Sequence, residues 1–187
     1  MVCGDGEYII YTALAWRNKS FGSALEFVWA LDSNEYAIRE NSSRIKLFKS
    51  FKEKTNVAIR MSYSAEGIFG GALLGVRSSG FLCFYDWETG SCVRRVDIVA
   101  KNVIWSESDL VVIATDESFY VLKFNRVKFQ ACLERAGGYI SGDEGVEDAF
   151  EVVTEITEGY VDFFKVLMET VSRREPGLAT ASYTQTL

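Results

Sequence analysis

Histidine is absent from all 187 residues. That removes the usual general base near neutral pH, the imidazole of a Ser or Cys triad, and the commonest metal ligand. Carboxylate or lysine chemistry stays open, but most hydrolytic templates are closed. Cysteine is scarce: Cys3, Cys83, Cys92 and Cys132 are too few and too scattered for a disulfide scaffold. They form no C-x-x-C pair, which excludes a zinc site built on that spacing. No apolar run approaches the roughly 20 residues that a membrane span requires. The opening "MVCGDGEYII" carries acidic residues where a signal peptide has basic ones. These features predict a cytoplasmic protein with reduced thiols.

What is present is an ordinary globular balance, with 48% hydrophobic and 25% charged residues. The length suits one domain with a sizeable core. The net charge of -6 is unevenly placed. Residues 1 to 135 hold 17 basic and 16 acidic side chains, whereas residues 136 to 187 hold 3 and 10. The acidity belongs to the tail, and no basic patch marks a nucleic-acid partner.

A repeat runs through the first two thirds. A short polar turn precedes an alternating aromatic and β-branched segment in "CGDGEYIIYT", "RENSSRIKLFKSF", "VRSSGFLCFYDW" and "ATDESFYVLKF". The turn markers Gly6, Ser43, Gly80 and Ser118 are 37, 37 and 38 residues apart. Gly, Asn, Asp and Ser suit the turn, and Val, Ile, Phe and Tyr suit a half-buried pleated surface. Further strands lie upstream ("EYAIRE", "ALLGV", "LVVIAT"; then "LEFVWA", "EGIFG", "NVIWS"), and "SCVRRVDI" follows the Glu88-Thr89-Gly90 turn. Four short antiparallel strands per unit at this period predict an all-β fold: an incomplete WD-type β-propeller of three to four blades over residues 1–126. Cys83 then lies on one face of a buried strand, and burial is expected to raise its pKa and leave it inert. The repeat lacks the Gly-His dipeptide, and Trp-Asp is reversed as Asp86-Trp87.

After Phe124 the period is lost. The turn-rich "RVKFQACLERAGGYISGDEG" reads as a loop, and residues 127–158 as an acidic loop or linker. Residues 159–187 read as a divergent tail with a helix over 160–173, acidic near its start, basic near its end and stopped by Pro176-Gly177.

No catalytic, cofactor-binding or metal-ligating residue emerges, and no small-molecule substrate. Asp143, Glu144, Glu147, Asp148, Glu151 and Glu155 have spacings that would stack carboxylates on a helix, but nothing apolar surrounds them to split their pKa values. They read as a solvated helix face or loop. Gly67, Gly70, Gly71 and Gly75 lack the Lys-Ser/Thr of a phosphate loop. One interaction surface remains: Arg39, Arg44, Lys46, Lys49, Lys52, Lys54 and Arg60, opposed in the same stretch only by Glu40 and Glu53. Such a strip can meet an anionic membrane surface or an acidic partner; its bland alternative is a solvated blade rim.

"VCGDGEYIIYTALAWRNKSFGSALEFVWA", "FYDWETG", "VVIATDESFYVLKFNR" and "DEGVEDAFEV" resemble the second β-propeller of the coatomer beta-prime family. The likeness runs to about Glu158, beyond which the tail reads as replacement sequence. The resemblance implies a non-catalytic scaffold of the COPI coat in Golgi–endoplasmic reticulum transport. It also implies other coatomer subunits as partners and a peripheral location on Golgi membranes and COPI vesicles. The alternatives are a WD-propeller adaptor of another pathway, or a coat-subunit fragment without independent function. The chain opens inside a blade, so an open arc with two uncovered blade faces is expected.

Overall fold

The computed structural model describes residues 1–106 and 108–156. Four antiparallel sheets succeed one another along the chain. The first holds β1 (Val2–Gly4), β2 (Glu7–Tyr11) and β3 (Asn18–Ser23). The second holds β4 (Glu26–Trp29), β5 (Glu35–Asn41), β6 (Arg44–Lys49) and β7 (Lys52–Glu53). The third holds β8 (Gly67–Phe69), β9 (Leu74–Arg77), β10 (Leu82–Tyr85) and β11 (Cys92–Val96). In the fourth, β12 (Asn102–Trp105), β13 (Leu110–Ala114) and β14 (Phe119–Phe124) are joined by β15 (Phe150–Ile156). The four repeated turns are the hairpins between β1 and β2, β5 and β6, β9 and β10, and β13 and β14.

Side-chain alternation explains why the sheets stack. In β10, Leu82 and Phe84 enter one core cluster while Cys83 and Tyr85 enter another. In β5, Tyr36 and Ile38 face the first sheet's Tyr8 and Ile10, and Ala37 faces the third sheet. A strand with both faces apolar needs a neighbour on each side, and the adjacent sheets supply it. The seam between the first two sheets is aromatic: Tyr8 of β2 meets Phe27 at 5.5 Å and Tyr36 at 6.1 Å between ring centroids, and within the second sheet Tyr36 stacks on Phe48 at 4.6 Å and on Phe27 at 4.8 Å. Ring pairs at these spacings contribute about 0.5–1.5 kcal/mol beyond their area. No core cluster joins the first sheet to the fourth among the described residues. On the first sheet's free side Val2 and Phe21 are 65% and 73% exposed, and both lie in register with Ile9. The far side of the fourth sheet differs from the expected bare face: Val112, Phe119 and Val121 are buried there, with Leu110, Ala114 and Ile156 packed against them.

Two expectations need correction. The stretch after Phe124 is not a loop throughout: α1 (Arg126–Arg135) and β15 occupy much of it. Asn125 caps α1 by accepting a hydrogen bond from the Lys128 amide at 3.0 Å, and Phe129 and Leu133 bury one helical face. The fourth blade therefore keeps its outer strand, displaced along the chain by an inserted helix. The carboxylates do not share a helix either. Glu147 and Asp148 lie in a 3₁₀ turn, and Glu151 and Glu155 lie on β15, a sheet edge. Charges on an edge discourage pairing with other chains. The helix expected over 160–173 lies outside the described residues. No helix among the described residues is long and apolar enough to cross a membrane.

Candidate interaction surface

Five of the seven basic residues form ion pairs: Arg39, Lys49 and Lys54 along the seam between the second and third sheets, and Arg44 and Lys46 with Glu40 inside the second sheet. Arg39 Nε lies 2.7 Å from Glu26 Oε2, and the same oxygen accepts a hydrogen bond from the Ile68 amide at 3.0 Å. One carboxylate thus ties β4, β5 and β8 together. Lys54 Nζ reaches Glu35 at 3.0 Å, Glu88 at 3.3 Å and the Trp87 carbonyl at 2.7 Å. Lys49 spans the same two carboxylates at 3.2 and 2.6 Å. Its ammonium pKa is raised, first by the hydrogen bond to Glu88 and then by Glu35. The Glu88 carboxyl pKa is lowered in return, chiefly by the hydrogen bond from Lys49. Lys46 pairs with Glu40 at 2.5 Å, and Arg44 pairs with Glu40 at 3.2 Å. Lys52 is exposed on β7, and Arg60 stands 5.5 Å from the Tyr139 ring centroid. Within the stretch only Glu40 and Glu53 were in view; the fold adds Glu26, Glu35 and Glu88.

The turn that carries Glu88 is built by Asp86. Its Oδ2 accepts from the Thr89 amide at 2.9 Å and from the Thr89 hydroxyl at 2.8 Å. Trp87 Nε1 donates to the Gly71 carbonyl at 3.0 Å, which points the indole into the seam. The reversed Asp-Trp pair is therefore a turn former followed by a seam anchor.

A second cluster, which the sequence reading missed as a unit, lies beside the outer edge of the third sheet. The segment between α1 and β15 returns to β11: Val146 N donates to Val93 O at 2.8 Å, and Arg95 N donates to Glu144 O at 3.0 Å. The Asp143 carboxylate accepts from the Ser62 amide at 3.2 Å and from the Ser62 hydroxyl. The Asp143 carbonyl accepts from the Cys83 and Cys92 thiols at 3.6 and 3.4 Å. Both cysteines are free and buried. Burial of Cys83 is as expected, but the expected pKa direction is not. A hydrogen bond from Cys92 outweighs burial and holds the Cys83 thiol below the ordinary range, while Cys92 is pushed up by that bond and by burial. The Tyr63 and Tyr85 hydroxyls meet at 2.9 Å alongside, and burial raises both pKa values. The β10–β11 hairpin sets Cys83, Tyr85 and Cys92 together, and the long-range return of Asp143, which no local pattern signals, adds their shared acceptor.

Successive antiparallel sheets of three and four strands, packed face to face, define a β-propeller segment. The profile described as "COPA/B second beta-propeller" matches residues 1–162, and the chain belongs to that family. It is 59% identical over 160 residues to coatomer subunit beta'-1 of Oryza sativa subsp. japonica, covering 84% of this chain and 17% of the relative. Coatomer subunit beta'-2 of the same plant is 58% identical over the same shares. Coatomer subunit beta' of Rattus norvegicus is 56% identical over 159 residues, again 84% of this chain and 17% of the relative. The chain thus spans about a sixth of the length of these relatives.

Proposed function

We propose that the chain is a non-catalytic structural segment of the COPI vesicle coat. In this reading it works beside other coatomer subunits in Golgi–endoplasmic reticulum transport, in the cytoplasm and peripheral to the membrane. The observation that carries this reading is the 56–59% identity to coatomer beta' subunits over 84% of the chain, together with a family match over residues 1–162, which span all four sheets. The physical character of the molecule agrees: its buried side chains hold blades against one another, and its carboxylates serve as ion-pair partners and edge guards. The test is co-purification of the tagged, folded chain from eukaryotic cells. Recovery of other coatomer subunits at fixed proportion is expected. A folded chain that brings down none of them would overturn the reading and favour a fragment without independent function; one that reproducibly brings down a different defined complex would favour an adaptor of another pathway.

The basic strip we assign first to ion pairing within the fold. A contact with anionic lipid would rest on Arg44, Lys49, Lys52 and Arg60, its exposed members. Flotation with and without phosphatidylserine tests that role, and equal flotation removes it.

A further inference from the structure

The two buried thiols of the third sheet are not used by the coat reading. Cys92 stands opposite Tyr85 in the β10–β11 register, and Cys83 lies two residues back along β10, in the same core cluster. The cysteines are thus diagonal cross-strand neighbours. Both thiols donate to one acceptor, the Asp143 carbonyl, at 3.6 and 3.4 Å, which sets the two sulfurs side by side. Those donors help to fasten the returning segment, which also bonds to Val93, Arg95 and, through the Ile140 amide at 3.0 Å, Ser91 Oγ.

We propose that Cys83 and Cys92 form a reversible thiol–disulfide pair whose state sets how tightly residues 139–146 hold the outer edge of the third sheet. The oxidant is a low-molecular-weight disulfide, admitted when that segment opens. The Cys83 thiolate attacks one sulfur and releases one external thiolate, leaving a mixed disulfide. The Cys92 thiolate then attacks the Cys83 sulfur, closes the internal bond and releases the second external thiolate. The two protons lost by the cysteines end on the two released thiols, and two electrons pass from the protein to the external disulfide. Cys83 is the first nucleophile because the hydrogen bond from Cys92 favours its thiolate.

Geometry argues for a labile bond rather than a structural one. The pair straddles the bulge after Phe84, two residues apart along β10 and three along β11; even regular diagonal neighbours have Cα atoms about 7–8 Å apart, beyond the roughly 4.4–6.8 Å at which a disulfide is relaxed. The bond strains the register, and strained disulfides are the readily reduced ones. Oxidation also removes both S–H donors from the Asp143 carbonyl and leaves a half-buried acceptor short of partners. Gly142 and Gly145, both at positive φ, flank Asp143 and Glu144 and let the backbone turn away.

The test uses the unmodified chain in a graded series of oxidised and reduced glutathione. Digestion without reduction, followed by mass spectrometry, should yield a Cys83–Cys92 cross-linked peptide. Amide exchange at Arg95 and Val146 should rise about tenfold on oxidation and return with dithiothreitol. A chain with Cys3→Ser and Cys132→Ser should respond alike, since neither residue belongs to the pair. Absence of the cross-link across the series in folded protein overturns the proposal. So does a cross-link that leaves exchange at Arg95 and Val146 unchanged.

Discussion

Gly71 shows how closely the seams are fitted. Its φ is +130°, its carbonyl holds the Trp87 indole, and a Cβ there would lie 2.0 Å from Trp105 Cδ1. Gly71→Ala must therefore strain the backbone and displace a ring that packs against Phe84 and Phe150. A loss of about 3 kcal/mol is expected from overpacking and strain together, read from the urea midpoint; an unchanged midpoint contradicts the packing. Glu88 gives a pH dependence. Its folded-state pKa lies below the ordinary carboxyl value of 4.5, so its contribution is present above that pH and is lost as pH falls through the depressed folded value. Glu88→Gln should flatten the acid limb of a stability–pH profile below pH 4.5 while leaving the shape near pH 7 unchanged. Neither residue announces its role locally. Gly71 sits in an unremarkable glycine pair, and Glu88 is one of three residues in a turn.

Strands and hairpins were largely legible because period-two alternation and turn residues act over a few positions. All four repeated turns proved to be hairpins. The helix and the last strand were not read, although signals existed. Asn125 at the cap, Phe129 and Leu133 four apart, Arg135 in the last turn and Gly137 beyond it form a helix signature hidden among turn-formers. In β15, Val121 pairs with Thr154 and Leu122 with Val152, leaving Val153 as an extra residue. That bulge turns a strand period of two into apparent spacings of three between Phe150, Val153 and Ile156. Asn125→Ala should cost about 1 kcal/mol through the lost cap, and Phe129→Ala about 3–4 kcal/mol through the cavity left against Phe124. Both are measured by denaturant unfolding, and Phe129→Ala leaving stability intact would show that α1 does not pack as described.

The four sheets form a series in which each inner blade is covered twice and the first blade once. Val2, Ile9 and Phe21 run across three strands in register on that free side. Apolar stripes of this kind drive association. Sedimentation should show mass rising with concentration, and Phe21→Glu should suppress the rise. Because Phe21 is exposed, its unfolding free energy should change by no more than about 0.5 kcal/mol. Concentration-independent mass for the unmodified chain, or undiminished association of the variant, would remove this account.

The order of residues by itself determined the sheet class, the blade period and the coatomer likeness, since alternation, turn chemistry and spacing are properties of neighbours along the chain. It also excluded imidazole chemistry outright. Only the tertiary structure decided where the charges of the basic strip go, because Glu26 and Glu88 reach it from other strands. The same holds for the buried thiols: they share as acceptor a carbonyl some fifty to sixty residues distant, and their pKa order depends on each other. Electrostatic and hydrogen-bond partners are set by distance in space, and in a stack of sheets that distance bears little relation to separation in sequence.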